Sequence, residues 1–485
     1  VEDDAKAPAT MVERQMLILT GGTIVNETAR DLADVAITGG RVSAVGTPGS
    51  LGDAADVIDV TGLHLIPGAI DMHVHFREPG YTHKEDWETG TQAAAMGGVT
   101  TVFEMPNTHP PTRSVTEFRQ KQELAKKACV DFGIYGLLAE DNIDEIQSLI
   151  DAGANAFKCF MGNTFGDLPS PSTGAMLEGF EIIAGSGLRI SLHAETASIM
   201  AWRQAKLEAA GLNDPIYHIA ARPEVVAIEA VARAAVLSEW TGARIHVLHI
   251  SSAGELRPLA EAKARGVEIT GETCPCYLFL DSGDYERLGS VIRVNPPVRE
   301  AKDKAAIWDA LQSGVVDMIA TDHAPHTPEE KTNDIIWNAD CGFPGVETQM
   351  PLMLSEVVAG RMTLEHYVRI SSANPARAFG MWPDKGRIGV GALADIAAVD
   401  MAREEVITSG RLHSRAKITP FEGKKTIGAP LHTIVRGKFV QRDRQLVQGM
   451  AGHGRQVTDI QKMPPANPQN VDQSLARILE ERRPR

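Results

Sequence analysis

Two histidines two residues apart, with an arginine at the same spacing, stand in GAIDMHVHFREPGYTHKED: His73, His75 and Arg77. Imidazole is a common ligand for divalent metals, and a guanidinium pairs readily with carboxylates. In a β-strand, residues i, i+2 and i+4 share one face. The spacing therefore predicts that all three enter one site, with the strand ending at Pro79 and Gly80. Residues of related chemistry recur downstream. Lys158 lies inside the apolar run AFKCFM, His193 is near the end of RISLHAE, His249 near the end of RIHVLHI, and Asp322 near the end of DMIATDH. A lysine in an apolar strand is costly unless paired, neutralised or modified. A lone histidine is most often a hydrogen-bonded structural residue, and the other histidines, such as His83, His218 and His246, take that plain reading.

These side chains must be positioned by the elements that carry them. Eight strand-like runs, AIDMHVHF, VTTVFEM, DFGIYGLL, AFKCFM, RISLHAE, RIHVLHI, VEITGETC and DMIATDH, alternate with stretches of helical period such as PEVVAIEAVARAAVLSEW. Near-continuous apolar strands separated by helices imply a parallel sheet. At this length its natural closure is a (β/α)8 barrel, whose sites form where strands end and the following loops begin. The candidate ligands fall at several such ends. Short β-branched runs separated by glycine turns occur before and after this region, and predict one small β-sandwich built from both chain ends. The expected organisation is residues 11–65 and 385–449 for that β-sandwich, 66–384 for the barrel, and 450–485 for an extension ending in a short charged helix.

Bulk properties narrow the function. The chain has 485 residues, 43% hydrophobic and 23% charged, which is ordinary for a globular protein. A net charge of −15 with no basic stretch argues against a nucleic-acid partner. No apolar run approaches the roughly 20 residues of a membrane span. Five scattered cysteines suit a reducing compartment without a disulfide framework. The expectation is a cytoplasmic protein, with Met11 a candidate natural start.

With these residues in place, the chain resembles the cyclic-amidohydrolase superfamily, and within it dihydroorotase, over nearly its whole length. The resemblance implies an α/β fold, a (β/α)8 TIM barrel with a small β-sandwich. It implies two divalent ions, commonly zinc, held by His73, His75, Lys158 as a carbamate, His193, His249 and Asp322. It further implies hydrolysis of a cyclic amide by a hydroxide bridging the ions, with Asp322 as general base and acid. Arg77, Asn107 in EMPNTHP, Asn295 in RVNPPVRE and His326 in TDHAPH match substrate-binding positions of dihydroorotase, which interconverts dihydroorotate and N-carbamoyl-aspartate. GETCPCYLFL and AFKCFMG look like the corresponding segments of hydantoinases and allantoinases. Those enzymes and dihydropyrimidinases, which open uncharged rings, form the alternative reading. A non-catalytic scaffold is the alternative of another class. Relatives are commonly homo-oligomers, dimers or tetramers.

Overall fold

The computed structural model describes residues 16–162, 168–465 and 474–481. Residues 1–15, with the candidate start Met11, lie outside the described residues, as do 163–167 in the Gly/Pro/Ser-rich stretch after AFKCFM. Five strands open the chain: β1 (Met16–Val25), β2 (Arg30–Thr38), β3 (Arg41–Gly46), β4 (Asp56–Asp59) and β5 (His64–Pro67). Eight more follow: β6 (Ala69–Val74), β7 (Val99–Glu104), β8 (Asp131–Leu138), β9 (Ala156–Phe160), β10 (Arg189–His193), β11 (Arg244–Val247), β12 (Ile269–Thr273) and β13 (Met318–Ile319). The last four are β14 (Ile396–Val406), β15 (Lys425–Val435), β16 (Lys438–Arg442) and β17 (Gln445–Leu446).

Strands β6 to β13 pair in chain order, each parallel to the next. The barrel closes where Val74 bridges His323 and the His75 amide donates to the His323 carbonyl at 2.7 Å. All residues of β6 to β10 are buried, as expected of strands covered by helices on one side and by a packed interior on the other. The helix Val225–Thr241 shows the covering logic. Its buried positions, from Val226 and Ala227 through Ala230, Val231, Ala234 and Ala235 to Ser238, recur at helical period.

The two chain ends form one hydrogen-bonded sheet of nine strands, joined where β5 pairs parallel with β1 and antiparallel with β14. Only Gly68 separates β5 from the first barrel strand. A Cβ there would lie 2.1 Å from the Thr100 side chain, so the crossing into the barrel requires glycine. Buried Lys385 ties sheet to barrel, donating to Asp131 at 2.7 Å at the start of β8 and to Asp395 ahead of β14. The extension after residue 449 runs along the N-terminal ends of the strands. There the Phe132 amide donates to Arg455, and Val457 packs with Phe103, Tyr135, Phe379 and Met381. A short helix, Leu475–Glu481, is also described. Among the described residues, no helix is long and apolar enough to cross a membrane, and all five cysteines are free.

The strands stop earlier than alternation alone predicts. β6 ends at Val74, so His75 and Arg77 lie beyond it, as do His249 beyond β11 and Asp322 beyond β13. Arg77 therefore does not reach the site by period-2 spacing. Its backbone turns into the left-handed region, with φ of 62°. His249 at 39° and Asp322 at 48° do the same. Such backbone costs an ordinary residue roughly 1–3 kcal/mol and tends to be kept where it aims a side chain.

Candidate active site

One cavity at the C-terminal ends of the strands is bordered by His73, His75, Lys158, His193, His249 and Asp322 together. Arg77, Asn107 and Asn295 border it too. The imidazoles form two groups. His73 Nε2 and His75 Nε2 lie 3.2 Å apart, and Asp322 Oδ1 is 3.2 Å from the first and 3.0 Å from the second. His193 Nδ1 lies 2.8 Å from His249 Nε2.

The partners on the far side of each ring fix what the near side can do. His73 Nδ1–H donates to Glu272 at 2.7 Å, His75 Nδ1–H to Asn107 Oδ1 at 2.7 Å, and His193 Nε2–H to Glu195 at 2.9 Å. With those protons pointing outward, the inner nitrogens of His73, His75 and His193 are bare lone pairs, and those of His73 and His75 converge with a carboxylate oxygen of Asp322. Burial holds the rings neutral: it pushes His75 down to about 4 and lowers His73, His193 and His249 as well. Converging lone pairs repel unless a cation stands between them, and outer N–H groups tied to carboxylate or amide oxygens are the usual support of metal-bound histidine. The donor set therefore fits divalent ions of the zinc, manganese or cobalt type.

Lys158 borders the same cavity and acts electrostatically on all four histidines. Its Nζ sits 4.6 Å from the centre of the Phe160 ring. Among the described residues it has no hydrogen bond or ion pair, and burial lowers its pKa to about 8.

The expected substrate contacts divide. Asn295 faces the cavity, and its buried Oδ1 has no partner. Asn107 borders the cavity, but its Oδ1 is engaged by His75. Arg77 is pinned, its Nε donating to Pro325 O at 3.1 Å and its Nη2 to His326 Nε2 at 2.9 Å. His326 sits differently from the other expected contacts. It is 0% exposed and does not border the cavity. Its Nε2 also lies 3.1 Å from Cys341 O, and its Nδ1 lies within 2.9 Å of Lys84 Nζ and Asp340. The enclosed ring supports Arg77 through Nε2. His326, Glu330 and Asp340 form a second metal-like cluster, but Lys84 Nζ lies 2.9–3.0 Å from all three, so an ammonium already holds it together.

Sequence reasoning missed Glu195 and Glu272. Glu272 also accepts from His246 at 2.9 Å, and Glu195 from Arg222. The signal was available: a carboxylate inside an apolar parallel strand is as anomalous as Lys158, and Glu195 follows His193 at period 2.

A model of the amidohydrolase family matches residues 64–440. An allantoinase of Rubrobacter xylanophilus is 36% identical over 443 residues, which cover 90% of this chain and 96% of that one. An L-hydantoinase of Paenarthrobacter aurescens is 35% identical over 433 residues, covering 88% and 94%. Among solved structures, an L-hydantoinase (dihydropyrimidinase) from Arthrobacter aurescens superposes with a TM-score of 0.88 at 33% identity, covering 90% of this chain and 98% of the other.

Proposed function

The chain belongs to the amidohydrolase family, acting as a hydrolase on cyclic amides, and we propose that its substrate is a ring of the hydantoin or allantoin type. The similarity to allantoinases and hydantoinases over about nine-tenths of the chain supports this ring class over the dihydroorotate expected from Arg77 and Asn107. The observation that carries the chemistry is the convergence of two histidine groups on one cavity, with the inner lone pairs of His73 and His75 facing Asp322 and with Lys158 bordering the same cavity.

His73, His75 and Asp322 would hold one ion, and His193 and His249 a second. Divalent ions there supply Lewis-acid polarisation of the amide carbonyl and acidify water. The protein side chains do the rest. Lys158 adds carbon dioxide through its uncharged amine: the ammonium first gives up one proton, the Nζ–C bond forms, a second proton leaves, and a buried cation becomes an anion suited to metal. A pKa lowered to about 8 favours that uncharged amine. Asp322 takes a proton from the attacking water and returns it to the ring nitrogen as the C–N bond breaks. The products are a carboxylate and a free amide or ureido group. Asn295 Oδ1, buried without a partner, accepts from a ring N–H.

Arg77 favours a second reading, an anionic ring such as dihydroorotate, because a guanidinium held by two partners at the cavity wall suits a carboxylate. Turnover of hydantoin, allantoin, dihydrouracil and dihydroorotate by the zinc- or manganese-loaded protein separates the two. Opening of hydantoin or allantoin with little on dihydroorotate supports the first reading. Turnover confined to dihydroorotate sinks it.

A further inference from the structure

Asn295 borders two cavities. The metal-type cavity is small, about 30 Å³, room for a water or two. The neighbouring chamber is about 390 Å³, within the usual range for small-molecule sites of roughly 300–1,000 Å³. It is lined by a face of the helix Ala197–Ala209, including Ala201, Gln204, Ala205 and, at its exposed end, Glu208, and by Arg222, Arg293 and Asn295. The alanines leave the space open. The lining from Arg293 and Asn295 is polar and partly unsatisfied.

Arg293 is 8% exposed. Its Nη1 donates to the carbonyls of Ile336 and Ala339, while its Nε has no hydrogen-bond partner. Among the described residues no carboxylate pairs with it, whereas Arg222 beside it is paired with Glu195. A buried cation without a counter-charge is costly, by several kcal/mol in typical cases, and an anion or carbonyl oxygen in the chamber relieves it. Asn295, with its own unpartnered Oδ1, borders both cavities.

We propose that this chamber is the subsite for the exocyclic substituent of the ring, that it takes substituents ending in a carboxylate or amide oxygen, and that Arg293 selects them. The inference rests on the ring-opening function proposed above. Its test compares kcat/KM of the metal-loaded enzyme on hydantoin, 5-carboxymethylhydantoin and 5-propylhydantoin. The wild type should favour the carboxymethyl over the propyl compound by tenfold or more. Arg293→Met should abolish that preference. Because Arg293 also holds residues 336–339, Ala201→Trp on the exposed helix provides a second variant. By filling the chamber, it should lower the carboxymethyl-to-hydantoin ratio at least tenfold. A wild type that prefers the propyl compound, or an unmoved ratio in Ala201→Trp, overturns the subsite while ring opening stands. A wild type that opens none of the three rings overturns both.

Discussion

Glu272 is fully buried and accepts from two imidazoles, His73 Nδ1 at 2.7 Å and His246 Nε2 at 2.9 Å. Its replacement gives a graded prediction. In Glu272→Gln the amide keeps one acceptor, which can stay on His73. Its NH2 then faces His246, whose Nδ1 lies 2.8 Å from the Thr270 hydroxyl. A hydroxyl can accept as well as donate, so His246 can move its proton to Nδ1 and accept from the new amide. His73 keeps its tautomer, and only the negative charge is lost. Glu272→Leu leaves His73 Nδ1 without an acceptor and frees the ring to carry its proton on the inner Nε2, where it blocks a donor. Outer-partner losses typically cost 10–100-fold in metal affinity or activity. We expect Gln near the lower end, about 1.4 kcal/mol, and Leu near the upper, about 2.7 kcal/mol. Competition against a chelator, read by elemental analysis, gives the affinities, and kcat/KM on hydantoin gives the rates. Wild-type affinity and rate in both variants, or a Gln variant worse than Leu, would show that Glu272 does not set the His73 tautomer.

Three further perturbations follow from the same geometry. Lys158→Ala should lose bound metal and activity, and short carboxylic acids in the buffer should restore part of both; full activity without them removes the carbamate. Lys385→Met strands Asp131 and Asp395 without their shared cation, and Arg436 can compensate only Asp131. Stability should fall by about 3–5 kcal/mol in chemical denaturation; a change below 1 kcal/mol would show the cluster to be dispensable. Glu195, held down to about 2 despite burial by Arg222 and His193, contributes stability present above its unfolded pKa and lost as pH falls through about 2. The gap in melting temperature between wild type and Glu195→Gln, corresponding to about 3 kcal/mol, should be full at pH 7 and shrink below pH 4.5. A gap that widens on acidification contradicts the assignment.

Much of this architecture is legible in the chain because its signals are local. Each barrel strand is a short apolar run, and the ligand-type residues sit at their ends, so the parallel order of β6 to β13 follows from pattern alone. What was not legible depends on tertiary contact. Arg77 reaches the cavity through a left-handed turn that no alternation rule anticipates. His326 looks, in TDHAPH, like a residue facing the cavity, but Lys84, Asp340, Cys341 and Arg77 converge on it from distant segments and enclose it. Glu272 gives no hint in sequence that two histidines from other strands share it. The two readings of the ring class part for a related reason: Arg77 is a strong local signal for a carboxylate, whereas the likeness to allantoinases and hydantoinases is spread over about nine-tenths of the chain.

In the function proposed, the two histidine groups, with Asp322 and Lys158, form a metal centre that opens a cyclic amide. The most direct measurement follows release of the carboxylate product from hydantoin and allantoin by one preparation in three states: as purified with its divalent ions counted, after chelation, and after zinc or manganese is returned. Close to two ions per chain, loss of ring opening on chelation, and recovery with the ions are expected. Ring opening that persists after complete removal of metal, or a fully loaded protein that opens neither ring, would contradict it.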